Sequence, residues 1–108
     1  MVESNAYDLD LIFHALSDPT RRAILKTLTR RERPIGAVAK PFEMSLAAVS
    51  KHVKVLERAR LVERTRRGSF SYLRLNGKAM LSAGQWLDHY RAVWEERLEN
   101  LAQLLEKE

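Results

Sequence analysis

Between Ser45 and Gly68 the apolar pattern changes period, and that change restricts the fold more than any other feature of the chain. Leu46, Val49, Val53 and Leu56 recur at intervals of three and four, which at 100° per residue gathers them on one side of a helix. Ala47, Lys51, Lys54 and Arg58 fall roughly opposite. From Leu61 the pattern is that of strands: Leu61 to Thr65, a turn through Arg66, Arg67, Gly68 and Ser69, then Phe70 to Leu75 with Tyr72. A helix with a small, polar outer face is thus followed directly by a hairpin with a basic tip. Ser45 is placed to cap the helix.

The flanking segments are predicted to be helical. Leu9, Ile12, Phe13 and Leu16 lie at helical spacing, and Ser17, Asp18 and Pro19 mark a stop and a restart, with Asp18 as N-cap and Pro19 in the first turn. The first helix therefore covers about 8–17. Ile24, Leu25 and Leu28 continue a second helix, expected to end around Arg30 to Arg33 before Pro34. A short apolar piece, Ile35 to Ala39, is halted by Pro41. At the far end Leu87, Tyr90, Trp94, Leu98, Leu101 and Leu105, widened by Trp86 and Val93, form the stripe of a long helix over about 79–106. The expectation is a single domain over 1–108, mainly α with a β-hairpin wing, in the order α-α-α-α-β-β-α. Residues 35–59 form a helix-turn-helix and 61–75 the wing, together a winged helix-turn-helix.

Charge is divided unevenly along the 108 residues. The overall +5 hides a central segment, 21–78, with sixteen Lys and Arg against four acids, a net +12. Residues 1–20 are −4 and residues 79–108 are −3. A segment at +12 suits a polyanion, because each cation that neutralises a phosphate releases condensed counterions. The chain has no cysteine, which removes disulfides, thiolate metal sites and a Cys nucleophile together. No run approaches the roughly 18 apolar residues of a membrane span, and the N-terminus lacks a signal-peptide pattern. A soluble, cytoplasmic protein without membrane association is expected. No Ser/His/Asp arrangement, glycine-rich phosphate loop or carboxylate pair stands out, so no catalytic residue, enzyme activity or cofactor is assigned.

The partner that fits is double-stranded DNA. A helix enters the major groove, about 12 Å wide, when the side chains facing the groove floor are short. Ala47, Ala48 and Ser50 are short. Ser50 and His52 can bond base edges or phosphates, and Lys51 and Lys54 can reach phosphates or guanine acceptors. The helix N-terminus at Ser45 offers free N–H groups to a phosphate. Arg64, Arg66 and Arg67, with Ser69 beside Gly68, suit the backbone or the minor groove. The apolar terminal helices carry more surface than a core of this size needs, which predicts a homodimer through Leu9, Ile12, Phe13, Leu87, Tyr90, Trp94, Leu98, Leu101 and Leu105.

The runs Leu16 to Leu25 (LSDPTRRAIL), Pro41 to Ser45 (PFEMS), Ala48 to His52 (AVSKH), Lys54 to Glu57 (KVLE) and Leu61-Val62 closely resemble the arsenic-repressor-type (ArsR/SmtB) transcriptional regulators. The resemblance covers nearly the whole chain. The ending Trp86 to Leu98 looks like a subgroup without obvious metal sites. The resemblance implies a homodimeric repressor, joined by its first and last helices, that sets the Ser45 to Ala59 helix in the major groove of an inverted-repeat operator. Metal-sensing members carry Cys-x-Cys near the helix that here reads Ile35 to Ala39, or an Asp-x-His set on the last helix. Here Asp88 and His89 are adjacent and diverge by about 100°, so no metal site is assigned. Position 47, often polar or proline in relatives, is Ala, and Arg60 replaces the glycine usual after the recognition helix. Two other readings share these features: a ligand- or metal-gated sensor of the same fold, its small-molecule effector near the dimer interface, and a winged-helix module that meets an acidic protein.

Overall fold

A computed structural model describes residues 7–107. Five helices and three strands follow in the order α1 (Leu9–Leu16), α2 (Pro19–Thr27), β1 (Arg33–Pro34), α3 (Ile35–Ala39), α4 (Leu46–Arg58), β2 (Val62–Arg67), β3 (Phe70–Leu75) and α5 (Gly77–Glu106). Each main helix start has a chemical cause. The Asp8 carboxylate accepts from Asp10 N and Leu11 N, Asp18 from Arg21 N, Ser45 Oγ from Ala48 N, and Asn76 from Lys78 N. Each bond satisfies an N–H that the first turn of a helix leaves without an internal partner.

The core is assembled from one face of every element except β1. Ile12 and Ala15 of α1, Ile24 of α2, Val38 of α3 and Val49, Val53 and Leu56 of α4 are fully buried, with Leu61, Leu73 and Ala79. The end of α4 is set by a backbone lock. Arg60 N–H bonds the Glu57 carbonyl at 2.9 Å and Leu61 N–H bonds the Leu56 carbonyl at 3.0 Å, the paired bonds of a Schellman motif, with buried Leu61 against buried Leu56. That geometry requires a left-handed residue at Arg60, whose φ is 64°. A non-glycine residue there costs about 1–2 kcal/mol.

Several features differ from the sequence-based expectation. Helix α2 stops at Thr27, short of Arg30 to Arg33: Leu28 is buried and its N–H bonds Leu25 O, and Arg33 Nε reaches back 2.8 Å to Thr27 O. The chain turns there so that Arg33 and Pro34 can pair with Leu73 and Tyr72. The expected hairpin is therefore a three-stranded antiparallel sheet in the order β1-β3-β2, with proline tolerated because β1 is an edge. The wing turn is also tighter. Strand β2 runs through Arg67 and pairs it with Phe70, leaving only Gly68 and Ser69 as the turn. Gly68 has φ 62°, as the first central residue of a two-residue hairpin turn requires.

Helix α5 begins at Gly77, two residues before the expected start, and runs for 30 residues. Only Ala79 and Ala83 of it enter the core, and from Gln85 to Lys107 every residue is exposed. This arm makes the molecule long, 66 × 38 × 22 Å. No helix among the described residues is long and apolar enough to cross a membrane.

Candidate nucleic-acid interface

Helix α4 is held on the core by Val49, Val53 and Leu56, and this fixes what it turns outward. Ala47, Lys51, Lys54 and Arg58 are exposed on one stripe, Ala48 and Ser50 are half-buried at its edge, and Ser45 sits exposed at the cap. Among the described residues Lys51, Lys54 and Arg58 form no ion pair, so the stripe is an unneutralised cationic surface on a rigid helix. Leu46, expected on the buried stripe, is instead 54% exposed. It lies at the right angle around the helix axis, but the first turn of α4 overhangs the core.

The three wing arginines do not behave alike. Arg64 is half-buried and engages Glu57 of α4 with two hydrogen bonds, Nη2 to Oε1 at 3.0 Å and Nε to Oε2 at 3.3 Å. Its guanidinium ties the wing to the end of α4. Arg67 pairs with Glu32 ahead of β1 and stacks over the Tyr72 ring at 4.7 Å. Arg66 is exposed, beside exposed Ser69, and forms no ion pair among the described residues.

His52 is half-buried rather than aimed outward. Its Nδ1 lies 3.4 Å from Arg21 Nη1 and 3.9 Å from Asp18 Oδ2. Arg21 in turn donates to the carbonyls that end α1, Nε to Ala15 O at 2.8 Å and Nη2 to His14 O at 3.0 Å, while Arg22 Nη1 bonds Leu16 O at 2.7 Å. The Asp18 carboxyl is held below its usual range chiefly by the Arg21 backbone N–H; partial desolvation opposes this and the His52 and Arg21 charges reinforce it. The LSDPTRR run is thus a clasp that fixes α1, α2 and α4 to one another. Reading Arg21 and Arg22 only as part of a basic segment misses this. The local signal was present: one helix ends and the next begins within two residues, so arginines in the second first turn face the carbonyls left open by the first. We expect Arg21→Ala to lower stability by about 1.5–3 kcal/mol, the range for hydrogen bonds to charged groups. Urea unfolding would measure it, and an unchanged midpoint would contradict the clasp.

The expected pairing residues divide into two groups. Ile12 is fully buried in the core of its own chain and is not available to another. Leu9 and Phe13 are half-buried against the core margin, and Phe13 meets Trp86 edge-on, ring centroids 5.7 Å apart. Trp86 in turn lies 4.7 Å from Tyr90. Leu87, Tyr90, Trp94, Leu98, Leu101 and Leu105 are all exposed along the α5 arm, and Trp86, Val93 and Leu104 extend the same apolar surface. Asp88 is 3.5 Å from Arg91 and the His89 ring packs on Tyr90. Among the described residues no three His, Cys, Asp or Glu side chains come together as a metal site.

A short helix, a turn, a second helix with an exposed cationic stripe and a β-wing tied to that helix define a winged helix-turn-helix of the transcription-regulator class. A family model described as a helix-turn-helix domain matches residues 16–65. The chain is 34% identical over 76 residues to the transcriptional repressor SdpR of Bacillus subtilis (strain 168), a match spanning 70% of this chain and 84% of that one. The crystal structure of the ArsR family transcriptional regulator RHA00566 superposes with a TM-score of 0.76 at 33% identity, over 81% of this chain and 96% of that one. The chain belongs to the ArsR-type winged helix-turn-helix transcriptional regulators. A homodimeric winged helix-turn-helix DNA-binding domain from Mycobacterium bovis, Mb0332, is also similar, with a TM-score of 0.61 at 28% identity over 85% of this chain and 82% of that one.

Proposed function

We propose that this protein is a repressor that binds an inverted-repeat operator as a homodimer, with α4 of each protomer in the major groove and the wing tip on the flanking backbone. The observation that carries this is the exposed stripe of α4, Ala47 with the cations Lys51, Lys54 and Arg58, which form no ion pair among the described residues, on a helix whose opposite face is buried. Short side chains at Ala47, Ala48 and Ser50 permit close approach to base edges, and the cations flank them at the height of the phosphates. Of the wing arginines, Arg66 has no ion pair among the described residues and is placed to reach the backbone; Arg64 and Arg67 serve first to hold the wing in place. His52 positions α4 through Arg21 and Asp18. The exposed α5 arm, with Leu9 and Phe13 of α1 at its root, is the surface on which two protomers join.

Selection of bound fragments from random DNA, followed by sequencing, tests the proposal. The expected product is an inverted repeat whose half-sites lie about one helical turn, roughly 34–36 Å, apart. Variants then separate the two kinds of contact. Ser50→Ala should cost about 1–3 kcal/mol on the selected site and relax its sequence preference, whereas Arg66→Ala should weaken binding to all sequences alike. Unchanged sequence preference in Ser50→Ala would place α4 outside the groove.

A further inference from the structure

We infer that Leu46 reads thymine methyl groups, so that each operator half-site carries a thymine selected by an apolar contact. This inference rests on α4 lying in the major groove as proposed above. Leu46 is the first residue of α4, directly after the Ser45 cap, and is 54% exposed while Val49, one turn later, is fully buried. Met44 and Ala47 beside it in the chain are exposed as well, so the whole start of the helix stands clear of the core. The first turn, Leu46 to Val49, contains no Lys or Arg that could reach a phosphate in its place. In recognition helices it is the N-terminal residues that meet base edges.

A leucine at that position has no hydrogen bond to give or accept. In the major groove the only apolar feature on a base edge is the C5-methyl of thymine; the cytosine and adenine edges present amino donors and guanine presents acceptors. Setting Leu46 against any of these strips water from a polar group without replacing it, which is unfavourable. Against thymine it removes two apolar surfaces from water together.

The test replaces thymine by uracil, one position at a time, in the DNA site selected by the purified full-length protein. Uracil lacks only the methyl group and keeps base pairing and every hydrogen-bonding edge. The wild-type protein should lose about fourfold in affinity at one thymine per half-site, equivalent to roughly 0.8 kcal/mol for one buried methyl, and about 15-fold when both half-sites are changed. The Leu46→Ala protein should bind thymine and uracil sites equally at that position. Because Leu46 is outside the core, its thermal midpoint should match that of the wild type. Tight binding with no methyl-sensitive thymine, or methyl sensitivity that survives in Leu46→Ala, overturns the inference while leaving DNA binding intact. Failure to select any DNA site overturns the placement of α4 and this inference with it.

Discussion

Trp94→Glu and Leu98→Glu are each expected to convert the protein to a monomer and to abolish tight operator binding. Trp94 is 62% and Leu98 61% exposed in the protomer, so neither contributes to its folded core. A single helix arm exposed from Gln85 to Lys107 has no reason to remain helical alone, because isolated helices in water are marginal and most helix stability comes from packing an apolar face. Burying a large apolar side chain contributes about 1.5–3 kcal/mol, and two-fold symmetry makes each residue count twice. A carboxylate placed there must be desolvated without a partner, so the substitution removes the favourable contribution and adds a cost. Linking two half-site contacts raises overall affinity by about 10²–10⁴, and a monomer forfeits that gain. Light scattering should show half the mass, circular dichroism a lower helix content as the arm frays, and mobility shifts a loss of at least two orders of magnitude. A wild-type monomer at micromolar concentration, or a monomeric variant that still binds the operator tightly, would defeat the assignment of α5 as the joining surface.

Local chemistry carried most of the fold into view, and long-range geometry accounts for what it missed. Asp18, Pro19 and Ser45 act within three residues of themselves, so their capping roles are legible from the chain alone. The left-handed residue at the end of α4 is not legible from Arg60 itself; only the resemblance, in which a glycine usually stands at this position, points to it. Strand β1 is two residues long and exists only because β3 lies beside it, so no periodicity announces it. Ile12 and Leu46 show the limit of helical spacing. The pattern gives the angle of a side chain around its axis, but α1 is apolar on two sides, with Ile12 turned to its own core and Phe13 toward α5, and α4 extends one turn beyond the core. The wing arginines show the limit of charge counting: Arg64, Arg66 and Arg67 are alike in the chain, and only the positions of Glu57 and Glu32 distinguish them.

That distinction sets the salt dependence of DNA binding. Lys51, Lys54, Arg58 and Arg66 are exposed without an ion pair among the described residues, four cations per protomer and eight in a dimer. If each meets one phosphate, the logarithm of affinity should fall against the logarithm of salt with a slope of about −7, and affinity should drop about 10⁴-fold between 50 and 200 mM. Removing one cation per protomer with Arg66→Ala should reduce the slope by about 2. Glu32→Gln should act in the opposite sense, because Arg67 loses the carboxylate that now holds it and becomes available to a phosphate, steepening the slope by about 2. Glu57→Gln should not act in the same way, since Arg64 is half-buried at the junction of α4 and the wing and freeing it weakens that junction rather than extending the contact surface. Fluorescence titrations of a labelled operator across that salt range give all four slopes. A wild-type slope near zero would remove phosphate contacts from the account altogether, and equal slopes for the wild type and Arg66→Ala would take Arg66 off the backbone.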